Sequence, residues 1–129
     1  MGNYKKLIFT SNPKSYNYLM NNENVVRIME KRVKYLYVVR LDANLEKDKQ
    51  FNDWYNNEHI PALLKVPGVI SANRFTSLMG TPKYIAIYEL ENPDVRSSEA
   101  WMKAVEMTPR PKDVTIQNAS RNLYERIYP

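Results

Sequence analysis

Residues Phe51 to Val69 read FNDWYNNEHIPALLKVPGV. Phe51, Trp54, Tyr55 and His59 stand at i, i+3, i+4 and i+8, the spacing of one helix face. Asp53, Asn56 and Asn57 take the opposite face, toward water. Pro61 lacks the N–H that would reach the Asn57 carbonyl, so a break or kink is expected around His59. Pro67-Gly68 closes the segment with a turn, and Val69 opens a new run. The chain's single histidine is thereby carried to the buried side of a helix, near its C-terminal end. There the helix dipole favours the protonated ring and burial favours the neutral one. The sequence leaves that balance open.

Working outward, Val33 to Leu41 (VKYLYVVRL) is dense in β-branched and aromatic residues and reads as a strand. Tyr35, Tyr37, Val39 and Leu41 share one face; Leu36, Val38 and Arg40 share the other. Both faces are largely apolar, so a central strand is expected. Asn44 is a candidate N-cap for the helix that follows. Val69 to Leu78 reads as the second strand, and Gly80-Thr81-Pro82 as a turn. Tyr84 to Glu91 reads as the third strand, and the short link predicts an antiparallel hairpin. Asn92 or Asp94 caps a second helix with the stripe Val95, Ser98, Trp101, Met102 and Val105. Thr108-Pro109-Arg110-Pro111 ends that helix. A short extended piece is read at Val114 to Ile116, and the last strand at Asn122 to Tyr128.

The order β-α-β-β-α-β predicts an α+β, ferredoxin-like fold: a four-stranded antiparallel sheet with both helices on one face. The other sheet face stays apolar and aromatic, which a monomer would leave in water. A symmetric homodimer through that face is therefore expected.

The stretch WYNNEHIPALLKVPGV, followed by Arg74, PKYIAIYELE and the ending RNLYERIYP, resembles the pattern of EthD-type proteins in the dimeric α+β barrel superfamily. The resemblance runs from about Val33 to the C-terminus. It implies a barrel made of two sheets packed back to back. It implies no single reaction, since one fold hosts many functions. In related cyclases and monooxygenases a helix histidine recurs as a pocket residue, and in haem-binding relatives a histidine can be the axial ligand.

Length and composition bound the rest. A chain of 129 residues is sized for one domain with a real core. Residues 33–129 are read as that domain, and residues 1–32 as a basic extension. The whole net charge of +5 lies in residues 1–34, which hold seven basic residues and two acidic ones. Residues 35–129 carry twelve of each sign, so the domain has no basic footprint and nucleic acid is not expected as a partner. There are no cysteines, which removes disulfides and thiolate chemistry. No apolar run approaches the ~20 residues of a membrane span, and the N-terminus lacks a signal peptide's apolar stretch. A cytoplasmic protein with no membrane contact is expected.

His59 is the first candidate for chemistry. It is either a structural ring that fixes the helix break or a general acid/base at a pocket mouth, titrating near pH 6–7. Tyr55 offers a phenol to orient a carbonyl, and Arg74 a cation for a developing oxyanion. These three form the catalytic set. Trp54, Arg40, Tyr88 and Trp101 are the ligand-binding candidates. For the aromatics the other role is core packing; for Arg40 and Arg74 it is pairing with Glu89 or Glu58. No phosphate loop, Ser-His-Asp order or metal cluster is visible, and no cofactor is expected. Two functions stay open. One is a cofactor-independent cyclase, isomerase or monooxygenase acting on a small aromatic or polyketide-like compound. The other is a non-catalytic dimer that binds a small hydrophobic ligand or only supports structure, with haem binding a third option. A cavity of several hundred Å³ beside His59, the size a small ligand needs, separates them.

Overall fold

A computed structural model describes residues 33–129. The basic extension read at residues 1–32 lies outside the described residues. Strand β1 is Tyr35–Ala43, β2 is Val69–Thr76, β3 is Tyr84–Leu90 and β4 is Ile116–Glu125. All pairings are antiparallel, in the order β2-β3-β1-β4. Helix α1 (Asp48–Trp54), a π turn (Tyr55–His59) and α2 (Ile60–Leu64) join β1 to β2. Helix α3 (Glu99–Glu106) joins β3 to β4. This is the α+β, ferredoxin-like fold expected from the pattern.

The two central strands are the two whose sequences are apolar on both faces. Tyr37, Val39 and Leu41 of β1 lie opposite Tyr88, Ala86 and Tyr84 of β3. These six are buried under the helices, with Phe51 and Leu63 packed above them. Phe51 is fully excluded from water and tilts against Tyr55 and Tyr84, with ring centroids 5.5 and 5.4 Å away. Burying each such ring contributes about 1.5–3 kcal/mol.

The break or kink expected around His59 takes the form of a π turn, and the helix does not break. Backbone torsions stay helical through Tyr55 (φ −62°), His59 (φ −68°) and Ile60 (φ −60°). The helix instead widens, and the Ile60 N–H donates to the Tyr55 carbonyl five residues back. Pro61 sits in the first turn of α2. The ladder changes register there, so its missing N–H is tolerated as at a helix start.

Other boundaries shift: β1 runs two residues later than expected at both ends, and β2 stops at Thr76. Asn44 caps nothing with its side chain. Its amide donates to the Asp113 carbonyl at 3.0 Å and its Oδ1 accepts from the Thr115 N–H at 2.8 Å, tying the helix entrance to the loop before β4. Helix α3 is capped by Ser98, whose hydroxyl accepts from the Trp101 N–H at 3.2 Å. Asn92 instead makes a local turn by accepting from the Asp94 N–H. The later cap changes the buried stripe: Trp101 and Ala104 are inside, while Met102 and Val105 are largely exposed. Strand β4 starts at Ile116 and ends at Glu125, earlier than expected at both ends. It is an edge strand, mostly exposed, so its sequence IQNASRNLYE carries little apolar alternation.

Gly68 has φ +92°, as its turn required, and a side chain there would meet Val95. No helix among the described residues is long and apolar enough to cross a membrane.

Candidate functional site

The π turn decides where His59 points. In a regular α-helix, residues five apart diverge by about 140° around the axis. Bonds to the fifth residue bring such pairs onto one face. His59 accordingly stacks on Trp54, five residues earlier, with centroids 4.8 Å apart and planes 26° from parallel. It meets Tyr55 edge-on at 5.1 Å.

Thr108, just past α3, fixes this pair. The Trp54 indole N–H donates to the Thr108 carbonyl at 3.3 Å. The Thr108 hydroxyl donates to the Ala104 carbonyl at 2.9 Å. Its oxygen is then the acceptor for His59 Nδ1–H, at 3.0 Å. One proton is thus committed, and the ring's tautomer follows: Nδ1 carries the hydrogen and Nε2 keeps a lone pair. Burial pushes the His59 pKa down from 6.5 to about 4. Burial prevails over the dipole, and titration near pH 6–7 gives way to a ring that is neutral at pH 7.

His59 borders a cavity of about 280 Å³ between the helices and the sheet. Trp54, Tyr55, Tyr88 and Trp101 also line it. Tyr55 and Tyr88 bring their hydroxyls within 3.3 Å of each other. One donates to the other, which leaves one phenolic proton over. Burial raises the pKa of both phenols, so both stay protonated. The structure therefore gathers five of the seven residues singled out from sequence.

The two arginines among the seven are not gathered there. Arg40 points to the opposite face of the sheet, beside the β2–β3 turn. Arg74 lies behind Tyr55, in a crevice with no open volume. Its guanidinium covers the Tyr55 ring at 4.3 Å, and Nη1 donates to Asn56 Oδ1 at 2.8 Å. The expected partner Glu89 accepts from Ser71 instead. Arg74 Nη2 is buried without an acceptor among the described residues, which costs about 1–3 kcal/mol.

Sequence reasoning passed over Thr108, Tyr37, Arg96, Arg110 and Arg121. Thr108 was read only as a helix stop. Arg121 lies opposite Val39 in β4, a strand begun too late in the sequence reading to include it. Tyr37 shares a face of β1 with Val39 and Leu41, the face that lines the cavity, and that grouping is the available signal. Among the described residues, no cluster of three or more His, Asp or Glu could hold a metal.

No family model matches the chain, and no curated protein matches it in sequence. Solved structures do match its fold. An antibiotic biosynthesis monooxygenase-like protein from Bordetella bronchiseptica superposes with a TM-score of 0.56 at 9% identity, over 74% of this chain and 99% of that one. The haem degrader MhuD from Mycobacterium tuberculosis, solved with two haems in its active site, gives 0.58 at 14% identity, over 74% and 97%. An EthD family protein from Bacillus halodurans gives 0.49 at 15%, over 72% and 99%. The first two establish the class: an α+β ferredoxin-like fold shared with monooxygenase-type and haem-degrading proteins. At these identities the likeness is one of fold, and the reading of function rests on the site.

Proposed function

We propose that the cavity beside His59 binds a small aromatic or polyketide-like compound and that the protein acts on it as a cofactor-independent enzyme of the cyclase, isomerase or monooxygenase type. The observation that carries this is the His59 imidazole, held through Nδ1 by Thr108, on the wall of a 280 Å³ cavity. That volume is at the lower end for small-molecule sites. It suits a fused aromatic better than a porphyrin, so haem is not part of the proposal.

The chemistry follows from the donors and acceptors in place. Nε2 takes a proton from a carbon or hydroxyl of the bound compound. The leftover Tyr55/Tyr88 proton hydrogen-bonds the oxygen on which the charge collects. A base with a pKa of about 4 is weak in the free protein. Negative charge developing on a bound enolate raises the ring's proton affinity, because the protonated imidazole gains an opposite charge nearby. Arg74, covering the Tyr55 ring, orients that phenol from behind.

The protein is further proposed to work as a homodimer through the sheet face opposite the helices. Phe75 and Tyr124 are 55% and 45% exposed on that face, beside half-buried Leu36, Ile85 and Ile87. A second copy would cover these side chains, burying on the order of 1,600 Å² in total. The cysteine-free chain suits a reducing compartment such as the cytoplasm.

Solvent-deuterium uptake tests the acid/base role. Hydroxylated bicyclic ketones are incubated in D₂O and exchange at the carbon next to the carbonyl is followed by NMR. Wild type accelerates exchange, and His59→Gln is slower by ~10²-fold or more, the usual contribution of a general base. Equal exchange rates in the two proteins would end the catalytic reading and leave the binding protein as the function.

A further inference from the structure

The cavity's charge is one-sided. Arg96, Arg110 and Arg121 line it, and no Asp or Glu among the described residues does. None of the three belongs to an ion pair among the described residues. Arg96 is the least ordinary. Its guanidinium lies over Tyr37 at 5.0 Å and Trp101 at 5.5 Å, so two aromatic rings, edge-to-face with each other, pack against it. Its Nε is buried with no hydrogen-bond acceptor among the described residues. A guanidinium donates in its own plane, and its edge matches a carboxylate through two parallel hydrogen bonds. Arg121 projects from β4 opposite Val39, on the helix-covered side of the sheet, and supplies a second cation.

Resting on the ligand-site reading above, we infer that the occupant is a planar aromatic carboxylate, its acid group held by Arg96 with Arg121 in support and its ring laid among Tyr37, Trp54 and Trp101. The aromatic walls recognise the body by stacking and apolar burial. The arginines recognise the anion, half-buried Arg96 more strongly than exposed Arg121 because water screens it less. The leftover Tyr55/Tyr88 proton and His59 Nε2 then read a second oxygen on the same ring system. This arrangement separates binding from chemistry: the acid group anchors at the arginines while the reacting oxygen faces the imidazole. A bound anion also favours the protonated imidazole, opposing the effect of burial.

The probes are 2-naphthoate and its neutral counterpart 2-naphthalenemethanol, with binding read from the fluorescence of Trp54 and Trp101. Wild type is expected to bind 2-naphthoate at least tenfold more tightly than the alcohol. Arg96→Gln should lose that preference, weakening 2-naphthoate tenfold or more and changing the alcohol less than twofold. Arg121→Gln, an exposed strand position, should reduce the preference about threefold, and it carries the test if Arg96→Gln does not fold. Equal affinity of wild type for both probes, or equal weakening of both by the arginine variants, overturns the carboxylate inference and leaves the ligand site standing. Binding of neither probe overturns both.

Discussion

Acidification should destabilise this protein through His59. The ring is neutral at pH 7 because the folded structure holds its pKa near 4, against 6.5 when free. Between those values the unfolded chain binds a proton that the folded chain does not, so stability falls as pH falls from about 6.5 to about 4. Above pH 6.5 the histidine has no such effect. At about 1.4 kcal/mol per tenfold in proton affinity, the full difference is worth about 3 kcal/mol. The ring is only partly buried, and water screens part of that penalty. About 1–2 kcal/mol is the expected loss. For a domain of this size that is roughly 5–10 °C in Tm. Carboxylates titrate over the same range, so the measurement is a difference: thermal melts of wild type and His59→Gln at pH 7 and pH 4.5. Wild type should lose about 1–2 kcal/mol more than the variant. Equal losses in the two proteins would refute the argument that burial keeps the ring neutral.

Other perturbations probe the frame around the site. Thr108→Val removes the acceptor for His59 Nδ1–H while keeping the shape. It should cost about 1–2 kcal/mol in a denaturant melt and move the ring's titration to a lower pH by NMR, because the acceptor that is lost favours the protonated ring. Gly68→Ala places a Cβ 2.5 Å from Val95 at φ +92° and should cost about 2–4 kcal/mol; an unchanged melt would show that the turn adapts. Phe75→Arg puts a charge on the open sheet face, and light scattering should then show a monomer where wild type is a dimer; a monomeric wild type would remove the dimer from the proposed function.

The fold was legible because its central strands and first helix are built by burial, and burial leaves a periodic pattern. Tyr37, Val39 and Leu41 alternate cleanly, and Tyr84 to Leu90 does the same. Edge strand β4 escaped in part because water, and not packing, sets its composition. The site was half legible. His59, Tyr55 and Trp54 share a helix face, so spacing grouped them. The π turn that stacks His59 on Trp54 has no sequence signature in the spacing rules, and Pro61, which accompanies it, was read as a break. The arginines were misallotted for a different reason. Alternation shows which face a strand residue takes, and Arg40 duly falls on the face away from the helices. It does not show that Arg74 would be walled off behind Tyr55, or that Arg96, on a short turn before α3, would reach the cavity. Those placements depend on tertiary packing alone.

The central claim is that His59 presents a bare, neutral Nε2 to a ligand cavity. Nitrogen-15 NMR of the imidazole at pH 7 reads this directly, before and after addition of 2-naphthoate. The account predicts a protonated Nδ1 and an unprotonated Nε2 in the free protein, with the Nε2 resonance moving when the ligand is added. A ring protonated on both nitrogens in the free protein, the opposite tautomer, or a resonance indifferent to a bound ligand would contradict it.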